Sequence, residues 1–304
     1  MGKTEFSHEA YEELRHEYER PDEEVFSESM ITDMNPKGLT FREARDSAIN
    51  PKSVPVIIAV DVTGSMGDIP KYLLRKKLGT IMETLKDNGV ENATVCFIAI
   101  GDHIFDNAPL QVGQFESGAA ELGKWLTGIN IEQGGGSNDG ESYALAWLFA
   151  GRHTSTDAFE LRGKKGFLFT IGDEWVLPTY SAEFLRNYMG YSQPVDLTKE
   201  ELLESAKLSF NVFHIHVDHE GRHVDKRWKD LMGQSLIVIN DPEIVAETIA
   251  TTIAIVNGAD MEEVVKGFSD KAIAGVTTAL ATINESELVK GEGDGIAKTG
   301  VIEL

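Results

Sequence analysis

A run of apolar residues, VPVIIAV over 54–60, leads directly into DVTGSMGD over 61–68. Residues branched at Cβ favour an extended chain, and the lack of polar alternation requires cover on both faces of the strand. Such a strand belongs in the middle of a parallel sheet, where each return connection is a crossover, usually a helix. The downstream sequence supplies those crossovers. Within 68–87, Leu73, Leu74, Leu78, Ile81, Met82 and Leu85 recur at helical spacing and predict an amphipathic helix. ATVCFIAIG (93–101), the apolar part of GKKGFLFTIG (163–172), FNVFHIHV (210–217) and SLIVIN (235–240) read as further strands, and 102–114 as a loop with an edge strand. Helices are expected over 117–127 with Ser117 as N-cap, over about 140–151, over 180–190 and 199–208, and over 241–256. In the last, Asp241 is the N-cap and Pro242 the first helical residue. The alternation predicts an α/β fold with an open, mostly parallel central sheet flanked by helices, occupying 51–256. Residues 1–50 read as an N-terminal helix and arm, the helix falling within 5–20 and ending before Pro21. Residues 257–304 read as a C-terminal helical extension and tail.

Charge narrows the choice of partners. The 304 residues carry 50 acidic and 28 basic side chains, a formal net charge of -22. That balance disfavours nucleic acid and anionic membrane and favours basic partners and metal cations. Cys96 is alone, so no intrachain disulfide is possible, and its apolar surroundings predict a core residue. The N-terminal stretch MGKTEFSHEAYEELRHEYER lacks the apolar centre of a signal peptide, and no apolar run reaches the roughly 18 residues of a membrane span. A cytoplasmic protein is expected.

In open α/β sheets, sites form beyond the carboxyl ends of the strands. Three polar clusters fall there: DVTGSMGD, QGGGSNDGES (133–142) and TIGDEW (170–175). Asp61, Thr63 and Ser65 share one side if the turn stays extended, and Gly64 permits a tight turn. Crowding Asp61, Asp139 and Asp173 without a cation disfavours their ionisation. Their oxygen donors suit a hard divalent ion, magnesium first, with manganese or calcium also acceptable. The competing reading is that these residues cap helices and close turns, which is the better account of Asp68.

DVTGSMG after a strand resembles the first motif of von Willebrand factor A (VWA) domains, whose metal-ion-dependent adhesion site (MIDAS) uses Asp-x-Ser-x-Ser, a distant threonine and a distant aspartate. Asp61, Thr63 and Ser65 match that motif, with threonine for the first serine, and Asp173 in FTIGDE matches the distant aspartate. GGGSNDGESYALA resembles the threonine loop; counting back from Ala144 and Leu145 puts Asp139 at the threonine position, with Ser137 as the competing match. The resemblance covers about 54–256 and implies a Rossmann-like three-layer sandwich. It also implies a bacterial or phage protein of cytoplasmic type that binds proteins through the ion, an Asp or Glu of the partner filling an open coordination position. Small relatives of this kind often work in assembly or beside chaperone-like ATPases. Asp139 departs from the pattern: a third aspartate neutralises the ion more fully and weakens recruitment of an external carboxylate.

The alternatives are a structural or assembly protein whose ion only holds loops together, and a metal-dependent hydrolase. The surplus acids Glu141 and Glu174 favour the hydrolase, but no nucleophile and base are paired, and Glu141 reads as a first-turn helix carboxylate. His214 and His216 share a strand face, and His219 and His223 follow. A transition-metal site is one reading of them; buried hydrogen-bonding groups at a strand end is the preferred one. His103 and Asp106 fall at the rim. QGGGSNDGES lacks the Lys-Ser/Thr pair of a phosphate loop, and Trp125, Trp147, Trp175 and Trp228 read as core or rim packing.

Overall fold

The structure is a computed structural model that describes residue 2 and residues 4–66, 68–131, 140–218 and 223–281, without the side chain of Ser65. Its centre is a six-stranded sheet of β1 (Val54–Asp61), β2 (Ala93–Ile100), β3 (Leu110–Val112), β4 (Gly166–Gly172), β5 (Phe210–Val217) and β6 (Leu236–Ile239), in the spatial order β6-β5-β4-β1-β2-β3. Every neighbouring pair is parallel except β2 and β3, whose edge strand runs antiparallel. β1 lies inside the sheet and is buried from Pro55 to Asp61, the cover that its continuous apolar run demands.

The principal helices are α1 (His8–Tyr18), α2 (Leu78–Asp87), α3 (Ala119–Thr127), α4 (Ala144–Arg152), α5 (Lys199–Ser209), α6 (Lys226–Met232), α7 (Val245–Val256) and α8 (Asp270–Leu280). α2, α3 and α7 contribute Leu78, Ile81, Leu122 and Ile249 to the apolar layer on one face of the sheet. α4 and α5 contribute Leu145, Trp147, Leu148 and Leu202 to the layer on the other. This is a three-layer α/β arrangement. α4 is buried from Ala144 to Ala150 because the sheet lies on one side of it and α5 on the other, so it has no polar stripe.

Two helix starts differ from expectation for identifiable reasons. α3 begins at Ala119 with Gly118 as its N-cap residue. The Ser117 hydroxyl is engaged elsewhere, donating to the Thr4 carbonyl at 2.7 Å and accepting from Asn50 Nδ2 at 2.9 Å. α4 begins only at Ala144, because Glu141 is held extended. Its N–H donates to the Trp175 carbonyl at 2.7 Å and its carbonyl accepts from Leu177 N–H at 2.9 Å. Asp241 does cap, but it caps a short 3-10 turn, Pro242–Ile244, that runs into α7.

The segment before β1 folds against the sheet domain. Tyr11, Tyr18, Phe26 and Met34 join its apolar layer, the Tyr11 hydroxyl donates to the Leu74 carbonyl at 2.8 Å, and Arg42–Ala44 pairs in parallel with Thr154–Thr156. α8 packs Ala272, Val276 and Leu280 into the same layer. Among the described residues, no helix is long and apolar enough to cross a membrane.

Candidate functional site

From β1 the chain moves outward through β2 to β3, whereas β4, β5 and β6 build in the opposite direction. The connections leaving β1 and β4 therefore diverge, the arrangement that in open α/β sheets forms a ligand crevice at the carboxyl ends of the two strands. Asp61 ends β1, and Val60 lies in register with Ile171 of β4. Asp173, one residue beyond β4, thus emerges beside the turn that follows Asp61.

Asp61 is fully buried and fully hydrogen-bonded. Its Oδ1 accepts from the Thr63 N–H at 2.8 Å and the Thr63 hydroxyl at 2.7 Å, an Asx turn that closes the strand end. Gly64 follows with φ +38°, where glycine escapes the strain a side chain would bring. Asp61 Oδ2 accepts from the Tyr143 hydroxyl at 2.9 Å. Tyr143 reaches it from the start of α4 because Gly172, beside Asp61 in the sheet, has no side chain: a Cβ there would overlap the Tyr143 hydroxyl and ring.

Glu141 completes the cluster. It is 6% exposed, its Oε1 lies 3.1 Å from Thr63 Oγ1, and its Oε2 has no hydrogen-bond partner among the described residues. The Thr63 hydroxyl has one proton to give. If Asp61 takes it over the shorter contact, the Thr63–Glu141 contact needs a proton on Glu141 or a shared positive charge. The electrostatics agree. Burial pushes the Asp61 carboxyl above its usual range, against the hydrogen bonds from Thr63 and Tyr143, and the charge of Asp173 adds to the rise. Burial and then the Asp61 charge push Glu141 up as well. The Tyr143 hydroxyl is raised by burial and by Asp61 and Glu141, so it remains a donor.

Of the residues singled out from sequence, Asp61 and Thr63 are in contact, and Asp173, 5% exposed, acts on Asp61 through its charge. Ser65 has its backbone in the turn Gly64–Met66. Asp139 and its competitor Ser137 lie outside the described residues. Glu141, expected in the first turn of a helix, is instead held extended within the cluster, a correction that follows from its backbone pairing. Tyr143 and Gly172 carried no signal in the sequence, since one reads as a helix residue and the other as the end of a strand. Asp68 opens a short helix and pairs with Lys71, as a first-turn residue should. Among the described residues, no three His, Cys, Asp or Glu side chains converge as metal ligands. Both Asp61 oxygens are held by Thr63 and Tyr143, whereas Glu141 Oε2 has no partner among the described residues and is a hard oxygen donor of the kind magnesium, manganese and calcium accept.

His214 and His216 are buried side by side on β5. The His214 ring stacks on Trp228 with centroids 3.6 Å apart, its Nδ1 is 3.0 Å from the Thr170 hydroxyl, and burial holds its pKa well below the usual value. Trp228 donates from Nε1 to the Glu174 carbonyl at 3.0 Å. His214 and Trp228 therefore pack as a stacked pair against Tyr143, with ring centroids at 5.1 and 5.8 Å, and support the aromatic side chain that holds Asp61. His223 is exposed beside Asp218, and His219 lies outside the described residues. At the rim, His103 contacts the Ser142 hydroxyl through its N–H and its Nδ1, each at 2.9 Å. With Asp106, Phe184 and Tyr188 it lines an open groove of about 410 Å³.

No family model matches the chain. Among curated proteins it is similar to the chloroplastic 1,8-cineole synthases of Picea sitchensis and Picea glauca. Each is 37% identical over 73 residues, covering 23% of this chain and 12% of the relative's length. The chain thus matches about an eighth of those relatives, an extent that assigns neither fold nor activity. Among solved structures it is similar to the pilus adhesin SpaC from Lactobacillus rhamnosus GG in its open conformation. The TM-score is 0.43 at 12% identity, covering 70% of this chain and 31% of that one. An aerotolerance-related membrane protein from Bacteroides fragilis NCTC 9343 gives a TM-score of 0.29 at 16% identity, covering 59% of this chain and 96% of that one. Likenesses this remote decide nothing about function.

Proposed function

We propose that the crevice between β1 and β4 binds a divalent cation, magnesium first and manganese or calcium as substitutes, and that the protein uses it as a VWA-type protein-interaction module. Asp61, Thr63 and Asp173 are its ligands or hold its waters; Ser65 and Asp139, or Ser137 in its place, are the sequence's further candidates. The observation that carries this reading is the meeting of buried Asp61, Thr63 and Glu141 at the switch in strand order, with Asp173 emerging alongside. Burial raises Asp61 and Glu141 toward the neutral form, and a cation relieves that cost. When bound, the ion supplies Lewis acidity toward an incoming oxygen donor such as a partner's Asp or Glu. The chain's own part is to orient Asp61 through Thr63 and Tyr143 and to keep bulk water from the strand end. Binding in the cytoplasm, in an assembly or beside a chaperone-like ATPase, belongs to the same proposal.

Titration calorimetry with magnesium and manganese tests it. Saturable binding by the intact protein that Asp61→Asn abolishes is the expected result. No binding at millimolar metal, or equal binding by the variant, overturns the reading. A purely structural ion is the second reading, favoured by the depth at which Asp61 sits. It predicts cation-dependent stability with no cation-dependent capture of a partner.

A further inference from the structure

We propose that Glu141 is an in-chain carboxylate ligand of that cation and holds the position an external acid would otherwise take. The inference rests on the cation reading above and specifies how the site is regulated. Three observations converge on Glu141. Its backbone is fastened to the segment leaving β4 by hydrogen bonds to Trp175 and Leu177, while its side chain reaches the turn leaving β1 through Thr63. Glu141 therefore spans the two walls of the crevice. The close backbone approach is built in: a Cβ at residue 140 would come within 2.8 Å of the Trp175 carbonyl oxygen, so Gly140 lets the strand segments meet. Finally, Glu141 is nine-tenths buried, and its Oε2 has no partner among the described residues. A carboxylate fixed at both ends with one oxygen unspent costs stability unless something positive uses that oxygen.

A cation that Glu141 coordinates directly, with Asp61 and Asp173 acting on it by charge or through bound water, has its charge more than offset by the chain itself. It then has little left to offer an acidic side chain from outside, and a partner's carboxylate must displace Glu141 to bind. Glu141 is thereby an internal competitor for the ion.

The test uses manganese as the metal and acetate as the external carboxylate, read by calorimetry and by water-proton relaxation of the bound ion. In the wild-type protein, acetate should leave manganese affinity and relaxation unchanged. Glu141→Gln keeps the side chain's size and removes one ligand charge. It should weaken manganese binding by about tenfold or more, raise relaxation by opening a water position, and make affinity rise with acetate. Glu141→Asp, which keeps the charge but withdraws it by one methylene, should fall between and serves where the amide variant fails to fold. If wild type binds manganese and Asp61→Asn does not, yet Glu141→Gln binds as wild type without responding to acetate, the role of Glu141 is overturned and the cation reading stands. If wild type itself does not bind manganese, both fall.

Discussion

Replacing Gly172 by alanine tests how the strand end is assembled, independently of any metal. The new methyl group would fall on the Tyr143 ring and hydroxyl, so the ring must move or the strand must shift. Overpacking of this kind typically costs about 1–3 kcal/mol. Moving the ring also takes the phenol from Asp61 Oδ2, now at 2.9 Å. Leaving a buried carboxylate oxygen without its donor costs a further 1–3 kcal/mol or so. Gly172→Ala should therefore destabilise the protein by roughly 2–6 kcal/mol, and Tyr143→Phe, which deletes only the hydroxyl, by about 1–3 kcal/mol. The two changes share one lost hydrogen bond, so the double variant should be less destabilised than the sum of the singles by about the energy of that bond. Urea denaturation of wild type, both singles and the double variant, with EDTA present throughout, measures all four. A Gly172→Ala protein as stable as wild type, or strict additivity across the cycle, would refute the claim that Gly172 exists to admit Tyr143 to Asp61.

Other expectations follow from the same geometry. Asp61 and Glu141 have folded-state pKa values raised above those of the unfolded chain. Their contribution is complete at pH values below the unfolded carboxyl range near 4, and it is lost as pH rises from there through the folded values. The metal-free protein should therefore lose stability relative to its Glu141→Gln variant as pH increases, and added magnesium should close the gap most at high pH; parallel stability–pH curves would count against it. The Cys96 thiol, pushed up by burial to about 12, should resist thiol reagents at pH 8 until the protein unfolds, and prompt labelling under native conditions would contradict its burial. Ser117→Ala removes the donor to the Thr4 carbonyl and one of the two hydrogen bonds of Asn50 Nδ2, which keeps the Gly2 carbonyl, rather than a helix cap, so it should cost about 1–2 kcal/mol in thermal unfolding while leaving helical circular dichroism unchanged.

The chain's architecture was legible because its signals are local and periodic. VPVIIAV without polar alternation has to be an inner strand, and the spacing of Leu74, Leu78, Ile81 and Leu85 has to be one face of a helix. Repeated along the chain, those signals yield a parallel sheet with helices on both sides, and with it the knowledge that Asp61 and Asp173 leave strands at the same end. Nothing local reveals that β4 lies directly beside β1, so that residues more than a hundred positions apart share one crevice. Nor does the pattern reveal Glu141: an acid just before an apolar helical run reads as a first-turn carboxylate. Only its backbone pairing with Trp175 and Leu177 pulls it out of the helix and aims it at Thr63. The same holds for Ser117, a plausible cap whose hydroxyl is claimed by Thr4 and Asn50 from across the fold. Sequence by itself determined which residues are buried in strands and helices, because burial follows from periodicity. Tertiary structure decided which polar groups face one another, because hydrogen bonds and charges act over a few ångströms between segments that the chain brings together only by folding.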